Sequence, residues 1–232
     1  MNGSPEALRA WMRRAESFVR GLNHLQGEWG ISVSIEPPIT AAEADRLAAE
    51  LPLGLPAPLR MLYLEGTGRF DCRFHWSPRK DVLPQTERVF PYQQTLAGGP
   101  AFIAWNELLQ VHGIHTWWDG LDDPSTEEQQ KGREIWRQTV PFIAVGNGDI
   151  VGLHVTGESD VYPVVYLCHD DEECPVTPIS PSFEHFLSEW EKSCYAGPEL
   201  WLLSSFLQKG KALSGDGSNA RAWREIMTPA LV

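Results

Sequence analysis

The chain has 232 residues, a length that suggests one domain with additions or at most two small domains. Hydrophobic residues make up 42% of the sequence and charged residues 22%, a globular composition that excludes a largely disordered chain. The net charge of −12 disfavours binding to nucleic acid, and no apolar run of about 18 residues is present to span a membrane, so we expect a cytoplasmic protein.

Three helices are predicted in the first 66 residues. Ser4 is a favoured N-cap and Pro5 a favoured first helical residue, and apolar side chains then recur at helical spacing. Thr40 and Glu43 form the pattern of a capping box at the start of the second helix. A third, short helix is expected to end at Gly66.

A strand and a long loop are predicted next. Residues 69–76 alternate between apolar and polar, which places Cys72 in the core and His75 on the surface. Residues 77–100 are rich in Pro, Gly and Gln, so they are expected to form a loop with a short strand near 88–92.

The second half predicts helices around a group of strands. Residues 102–113 and 123–139 favour helices, and Asn147-Gly148 is a strong hairpin signal between two apolar strands. Residues 161–168 predict a third strand. This order lacks regular β-α-β alternation, so it predicts an α+β fold with a mostly antiparallel β-sheet flanked by helices.

The end of the sequence is expected to be helical. Ser180-Pro181 resembles the start of the first helix, and Gly197 is expected to end this one. A further helix, a flexible linker over residues 211–220 and a short terminal helix should follow.

The stretch VVYLCHDDEEC, residues 164–174, could hold a catalytic or metal site. Cys168 and His169 would point to opposite faces of a strand, which disfavours a zinc site. A hydrolase using His169, Asp170 and Asp149 is a less favoured alternative. The structural interpretation is that the acids support turns while the histidine bonds a neighbouring loop.

A second candidate site is the acidic, aromatic stretch WWDGLDDPSTEE. An exposed tryptophan surrounded by acids would suit a basic protein partner, whereas the alternative is that both tryptophans are buried and the acids cap a helix. Residues 117–232 carry a net charge of −11, against −1 for residues 1–116. The candidate partner-binding residues are Trp117, Trp118, Asp119, Asp122, Asp123, Glu127 and Glu128.

Two stretches, residues 39–70 and 140–190, together resemble domains of the SUKH superfamily, which includes the yeast Smi/Knr cell-wall regulators. The resemblance implies a division into an N-terminal helix and lead-in (1–35), a Smi/Knr-like SUKH domain (36–192) and a C-terminal helical extension (193–232). The matching motif residues, for which we expect structural roles, are Pro56, Gly66, Gly148, Asp149, His169, Asp170, Phe183 and Phe186.

The same resemblance implies a non-enzymatic domain that needs no cofactor or metal. Bacterial members resemble immunity proteins, which neutralise a co-encoded toxin that is often a nuclease. The expected partner is therefore a protein, in particular a basic toxin domain, and not nucleic acid or a membrane. A regulatory scaffold of the cell-wall or signalling type is the alternative, and a metal-dependent hydrolase is less favoured.

Overall fold

The computed structural model describes residues 3–25, 27–118, 126–157, 161–170, 176–208 and 212–227. Within these ranges the fold is α+β, with nine α-helices and two antiparallel sheets. The helices are α1 (Pro5–Gly21), α2 (Ala41–Glu50), α3 (Ala57–Met61), α4 (Leu83–Val89), α5 (Leu108–Trp118), α6 (Glu127–Arg137), α7 (Phe183–Lys192), α8 (Leu200–Leu203) and α9 (Ser218–Met227). The strands are β1 (Gly27–Glu36), β2 (Arg69–Pro78), β3 (Leu96–Gly98), β4 (Ala101–Phe102), β5 (Thr139–Ala144), β6 (Ile150–His154), β7 (Val164–Leu167) and β8 (Val176–Ser180).

The expected fold class is confirmed, since antiparallel sheets and helices make up the described chain. In the first sheet the strands lie in the order β1-β2-β3, and β4 also pairs with β2. The second sheet is a meander with the order β5-β6-β7-β8. None of the helices in the described ranges has the length and apolar character needed to cross a membrane.

The chain divides into two compact units. Unit 1 comprises Met1–Ile35, Asp71–Ala101 and Glu184–Val232, and unit 2 comprises Glu36–Phe70 and Phe102–Phe183. Unit 1 therefore combines both ends of the chain with a central segment.

Tryptophan side chains form much of the core of unit 1. The indole of Trp11 on α1 is fully buried, and its N–H donates to the carbonyl of Leu187 on α7 at 2.9 Å. The indole N–H of Trp190 donates to the carbonyl of Ala196 at 2.8 Å. Because these two indole N–H groups keep partners, the rings of Trp11 and Trp190 add apolar burial without an unpaired donor.

Unit 2 is centred on the second sheet and an aromatic cluster. The ring of Phe142 on β5 meets that of Phe183 edge-on, with 5.4 Å between centroids, and Phe102 lies 6.1 Å from Phe142. The buried Tyr63 hydroxyl donates to the carbonyl of Ile103 at 2.8 Å. These contacts join α7's first residue, β5 and the segment before α5 into one core.

Several predicted elements are confirmed with their caps. The Ser4 side chain accepts from the N–H of Ala7, and helix α1 begins at Pro5 as expected. The capping box of Thr40 and Glu43 is present at the start of α2. Strand β2 alternates as predicted, since Cys72 is buried and His75 is exposed.

Two elements in the first half of the chain differ from the prediction. The lead-in before residue 36 contains the ten-residue strand β1. The expected loop over 77–100 holds helix α4 and strand β3, and residues 88–92 do not form a strand. Helix α4 forms because Thr86 and Val89 are buried on one side, a tertiary contact that overrides the loop-like composition.

The C-terminal part also departs from the prediction at its element boundaries. Ser180 does not cap α7 but ends β8, where it pairs with Val164 of β7. Helix α7 ends at Lys192, before the predicted Gly197. The expected linker is not a free coil where it is described, because Leu213 is buried and the N–H of Gly215 donates to Glu189 Oε2 at 2.7 Å.

Candidate protein-binding site

The hairpin between β5 and β6 forms the turn that the sequence predicts. Gly148 has a φ of +102°, a conformation that glycine adopts without strain. Its N–H donates to the Val145 carbonyl at 3.0 Å, and the Val145 N–H donates to the Asp149 carbonyl at 2.9 Å. The Asn147 side-chain oxygen accepts the N–H of Asp149 at 3.1 Å, an Asx-type turn.

Asp149 connects this hairpin to the end of β7. Its side chain is almost fully buried, at 2% exposure, and it accepts four hydrogen bonds. Oδ2 accepts from the Tyr166 hydroxyl and from Asn147 Nδ2, both at 2.7 Å. Oδ1 accepts from the His169 N–H at 3.0 Å and from His169 Nδ1 at 2.8 Å.

The charge of Asp149 follows from these contacts. Burial by itself would raise the pKa of Asp149, but the hydrogen bonds from Tyr166, Asn147 and His169 outweigh burial and hold the pKa below its usual range. The carboxylate is therefore ionised near neutral pH and acts only as an acceptor. His169 must then carry its proton on Nδ1 to make the bond observed.

This arrangement disfavours a metal site or a hydrolase site. Donor atoms of Asp149, Cys168 and Asp170 lie within 4.8 Å of one another, but both Asp149 oxygens already accept two hydrogen bonds each. Burial raises the pKa of the Cys168 thiol to about 11, so it is protonated, and it donates to Asp170 at 3.4 Å. The strand predicted over 161–168 ends at Leu167, one residue before Cys168, and Cys168 is only half-buried.

The remaining motif residues lie beside α3 and at the start of α7. The buried Pro56 precedes α3, and its carbonyl accepts the N–H of Arg60 at 2.9 Å. Gly66 ends the π-helical turn that follows α3. Phe183 and Phe186 are both fully buried at the start of α7.

The acidic, aromatic stretch is described only in part. Trp117 and Trp118 are the last two residues of α5, and their side chains lie outside the described part of the structure. Asp119, Asp122 and Asp123 lie outside the described residues. The structure therefore does not bring this predicted set together as one observed surface.

Glu127 and Glu128 lie in the first turn of α6 and are exposed. Thr126 caps this helix in a reciprocal pair with Gln129, which the sequence analysis did not identify. Carboxylates at a helix N-terminus are favoured by the helix dipole. Glu127 also pairs with Lys131 at 3.1 Å, so one acid is partly neutralised within the helix.

An exposed apolar residue on α5 was missed by the sequence analysis. Ile114 on α5 is 52% exposed, although Leu108 and His112 on the same helix are buried. The signal lies in the helical spacing, because Ile114 falls six residues after Leu108 and so off the buried side. Exposed large apolar side chains are frequent contacts in protein interfaces.

The negative charge of the chain is concentrated in unit 2. By sequence, unit 2 holds 19 acidic and 6 basic residues, a net charge of −13. Unit 1 holds 12 acidic and 13 basic residues, a net charge of +1. The uneven charge of the two sequence halves thus becomes a sharper contrast between the folded units.

The fold and the site define an α+β protein with antiparallel sheets, flanking helices and a buried acid that joins a hairpin to a strand end. The model of the SMI1 / KNR4 family (SUKH-1) matches residues 38–189, and the chain belongs to this family. SUKH-1 proteins are known as immunity-protein-like, and proteins of the SUKH group are generally non-catalytic. No curated protein and no solved structure shows a significant match to the chain.

Proposed function

We propose that the chain is a non-enzymatic immunity protein that binds and neutralises a toxin with a basic surface. The observation that carries this proposal is the concentration of negative charge in unit 2, which contains 19 acidic and only 6 basic residues. A strongly acidic surface attracts a basic protein, speeds its docking and repels phosphate backbones. A toxin that acts on nucleic acid carries such a basic surface, because it must bind phosphates.

The contact surface that we assign is the end of α5 and the start of α6. Ile114 supplies an exposed apolar side chain on α5, and Glu127 and Glu128 supply exposed charge at the start of α6. Positions 117 and 118 follow Ile114 by three and four residues, the spacing of neighbouring positions on one side of a helix. Trp117, Trp118, Asp119, Asp122 and Asp123 complete the proposed surface by sequence.

The proposed mechanism is occlusion. An apolar centre with an acidic rim binds by burying the centre, while the rim determines the rate of association and the salt dependence. The toxin is neutralised because its substrate-binding groove is covered, and no bond is made or broken. The Asp149 junction contributes by holding the hairpin to β7 and thus the second sheet in shape.

The test is capture of the partner from the native host with a tagged protein at low and high salt, followed by mass spectrometry. We expect one stoichiometric, basic partner that is released at high salt. The double variant Glu127→Gln/Glu128→Gln should weaken its binding by roughly fivefold, because each exposed charge contributes modestly. The matched control, Glu87→Gln/Glu225→Gln, removes two exposed carboxylates from unit 1 and should bind normally.

Two outcomes would contradict this proposal. Unchanged affinity and salt dependence in the Glu127/Glu128 double variant would show that the assigned surface is not the contact. Capture of a varied set of cellular proteins, with no basic toxin-like partner, would favour a regulatory scaffold.

A further inference from the structure

Three of the four sheet edges in the described chain are protected against pairing with another strand. The second sheet ends in β5 and β8, which contain Pro141 and Pro178, and proline cannot donate to a ladder. Strand β3, at one end of the first sheet, has only three residues and is covered by a bridge from Gly98 to Ala196.

Strand β1 is the exception. It has ten residues, about twice the usual strand length, and within the described residues it pairs with β2 alone. Residues 29–35 contain neither proline nor a charged side chain, the common protections of an edge strand. Only Glu28 and Glu36, near its two ends, are charged.

One face of β1 is apolar and is partly exposed to solvent. Trp29 stacks on Trp76 with 5.0 Å between ring centroids and 7° between the planes. Ile31 and Val33, on the same face, are only half-buried, and Ile35 is 42% exposed. An additional strand beside β1 would cover this row.

The other face of β1 is held close to β2. A Cβ at Gly30 would lie 1.8 Å from the His75 ring, so a larger residue at this position would displace that ring.

We propose that β1 is a docking edge for an extended strand of a partner protein. The partner's backbone pairs with the outer edge of β1, and its alternate apolar side chains cover Ile31, Val33 and Ile35. A basic residue at one end of that strand meets the exposed Glu28, whereas Glu36 at the other end of β1 already pairs with Arg69 at 3.0 Å. This edge lies outside the acidic surface of α5 and α6, so the inference goes beyond the proposed function.

A second copy of the chain fits this edge less well. In antiparallel self-pairing with full overlap, Glu28 of one copy lies beside residue 35 or 36 of the other, and β1 contains no basic side chain that could pair with Glu28. Each copy also carries a net charge of −12, which opposes association of like chains. Charge complementarity therefore selects a different, basic strand.

The test uses a fluorescein-labelled probe peptide of nine residues, with alternating threonine and valine and a lysine at each end. Two further peptides carry backbone N-methyl groups, one on every valine and the other on every threonine. Because alternate N–H groups of a strand point to opposite edges, only one methylated peptide should lose its bonds to β1. We expect the unmethylated probe to bind with a Kd below about 1 mM, and one methylated peptide to bind at least tenfold more weakly.

Hydrogen exchange and one variant pair locate the site on the protein. Backbone amides within residues 28–35 should gain protection when the probe binds. Ile35→Lys should lower the affinity for the probe at least tenfold, because a charge on the covered face blocks strand addition. The matched control is Val161→Lys, which makes the same kind of change at a side chain that is 56% exposed, and it should bind normally.

The proposal is supported if only one methylated peptide loses binding and if the backbone amides of residues 28–35 gain protection from hydrogen exchange. Equal binding of the two methylated peptides, protection elsewhere, or no saturable binding would overturn it. Self-association that protects residues 28–35 without the probe would also overturn it, in favour of a second copy. The Glu127→Gln/Glu128→Gln variant should still bind the probe, so failure of the acidic surface and failure of the β1 edge are distinguishable.

Discussion

Asp149 shows how one side chain fixes the contact between two parts of unit 2. The carboxylate accepts hydrogen bonds from Asn147 of the hairpin and from Tyr166 of β7. It also accepts two from His169, the second residue after β7, through the backbone N–H and the ring Nδ1. Burial of a lone carboxylate would be costly, but four donors compensate for the lost water. The junction is therefore strong only while all partners are present.

Substitution of this acid should be destabilising. Asp149→Asn keeps the shape but removes the charge and replaces one acceptor with a donor that faces other donors. We expect a loss of about 2 to 3 kcal/mol in the free energy of unfolding, measured by urea denaturation at pH 7. Asp170→Asn is the control, because Asp170 is 72% exposed and should change stability little. Equal losses of stability in the two variants would contradict a stabilising role for Asp149.

The same residue predicts a dependence on pH. The pKa of Asp149 is lowered in the folded protein, so its ionisation stabilises the fold above the ordinary pKa of an unfolded aspartate. The stability difference between the wild type and Asp149→Asn should be complete near pH 7. It should shrink as the pH falls below about 4 and through the folded pKa. Urea denaturation at a series of pH values measures this, and a constant difference down to low pH would show that the charge is not responsible.

Among the helices and strands, those with strong local signals could be predicted. The cap residues of α1 and α2 and the alternation in β2 each act within a few residues, so they are visible in the sequence. Strand β1 has the alternation of a strand, but Gly27, Gly30 and two serines lower its β propensity. Its strand form depends on pairing with β2, a contact distant in sequence.

The cap of α2 gives a prediction for an element. The Thr40 side chain accepts the N–H of Glu43 at 3.3 Å, and the Glu43 carboxylate accepts the N–H of Thr40 at 2.8 Å. Thr40→Ala should lower the free energy of unfolding by about 1 kcal/mol, because it removes the N-cap acceptor. Thr40→Ser keeps the acceptor and should be nearly neutral in the same denaturation experiment. A similar loss in both variants would assign the effect to the threonine methyl group.

For the whole molecule, the residues beyond the family match are part of a core. Trp223 on α9 is fully buried, and its ring lies 5.0 Å from Phe90 and 6.1 Å from Trp76. All three residues belong to unit 1, while the family match ends at residue 189. The proposed C-terminal extension over 193–232 therefore contributes to folding, whatever its role in binding.

A pair of tryptophan variants tests this contribution. Trp223→Ala should lower the free energy of unfolding by about 3 to 5 kcal/mol, because it leaves a large cavity among aromatic rings. Trp201→Ala is the matched control, since Trp201 is 50% exposed and should cost far less. Chemical denaturation followed by circular dichroism measures both. A small effect of Trp223→Ala would mean that α9 is not needed by the unit 1 core.

The sequence by itself determined the α+β class, the family, the strong caps and the hairpin at Gly148, because each depends on short-range patterns. It also placed most of the acidic charge in the second half of the chain. Only the tertiary structure decided that Asp149 is a buried acceptor for four donors, that β1 lies at one end of the first sheet and that the negative charge is concentrated in unit 2. Those features depend on which distant residues meet, and chain spacing carries no direct information about such contacts.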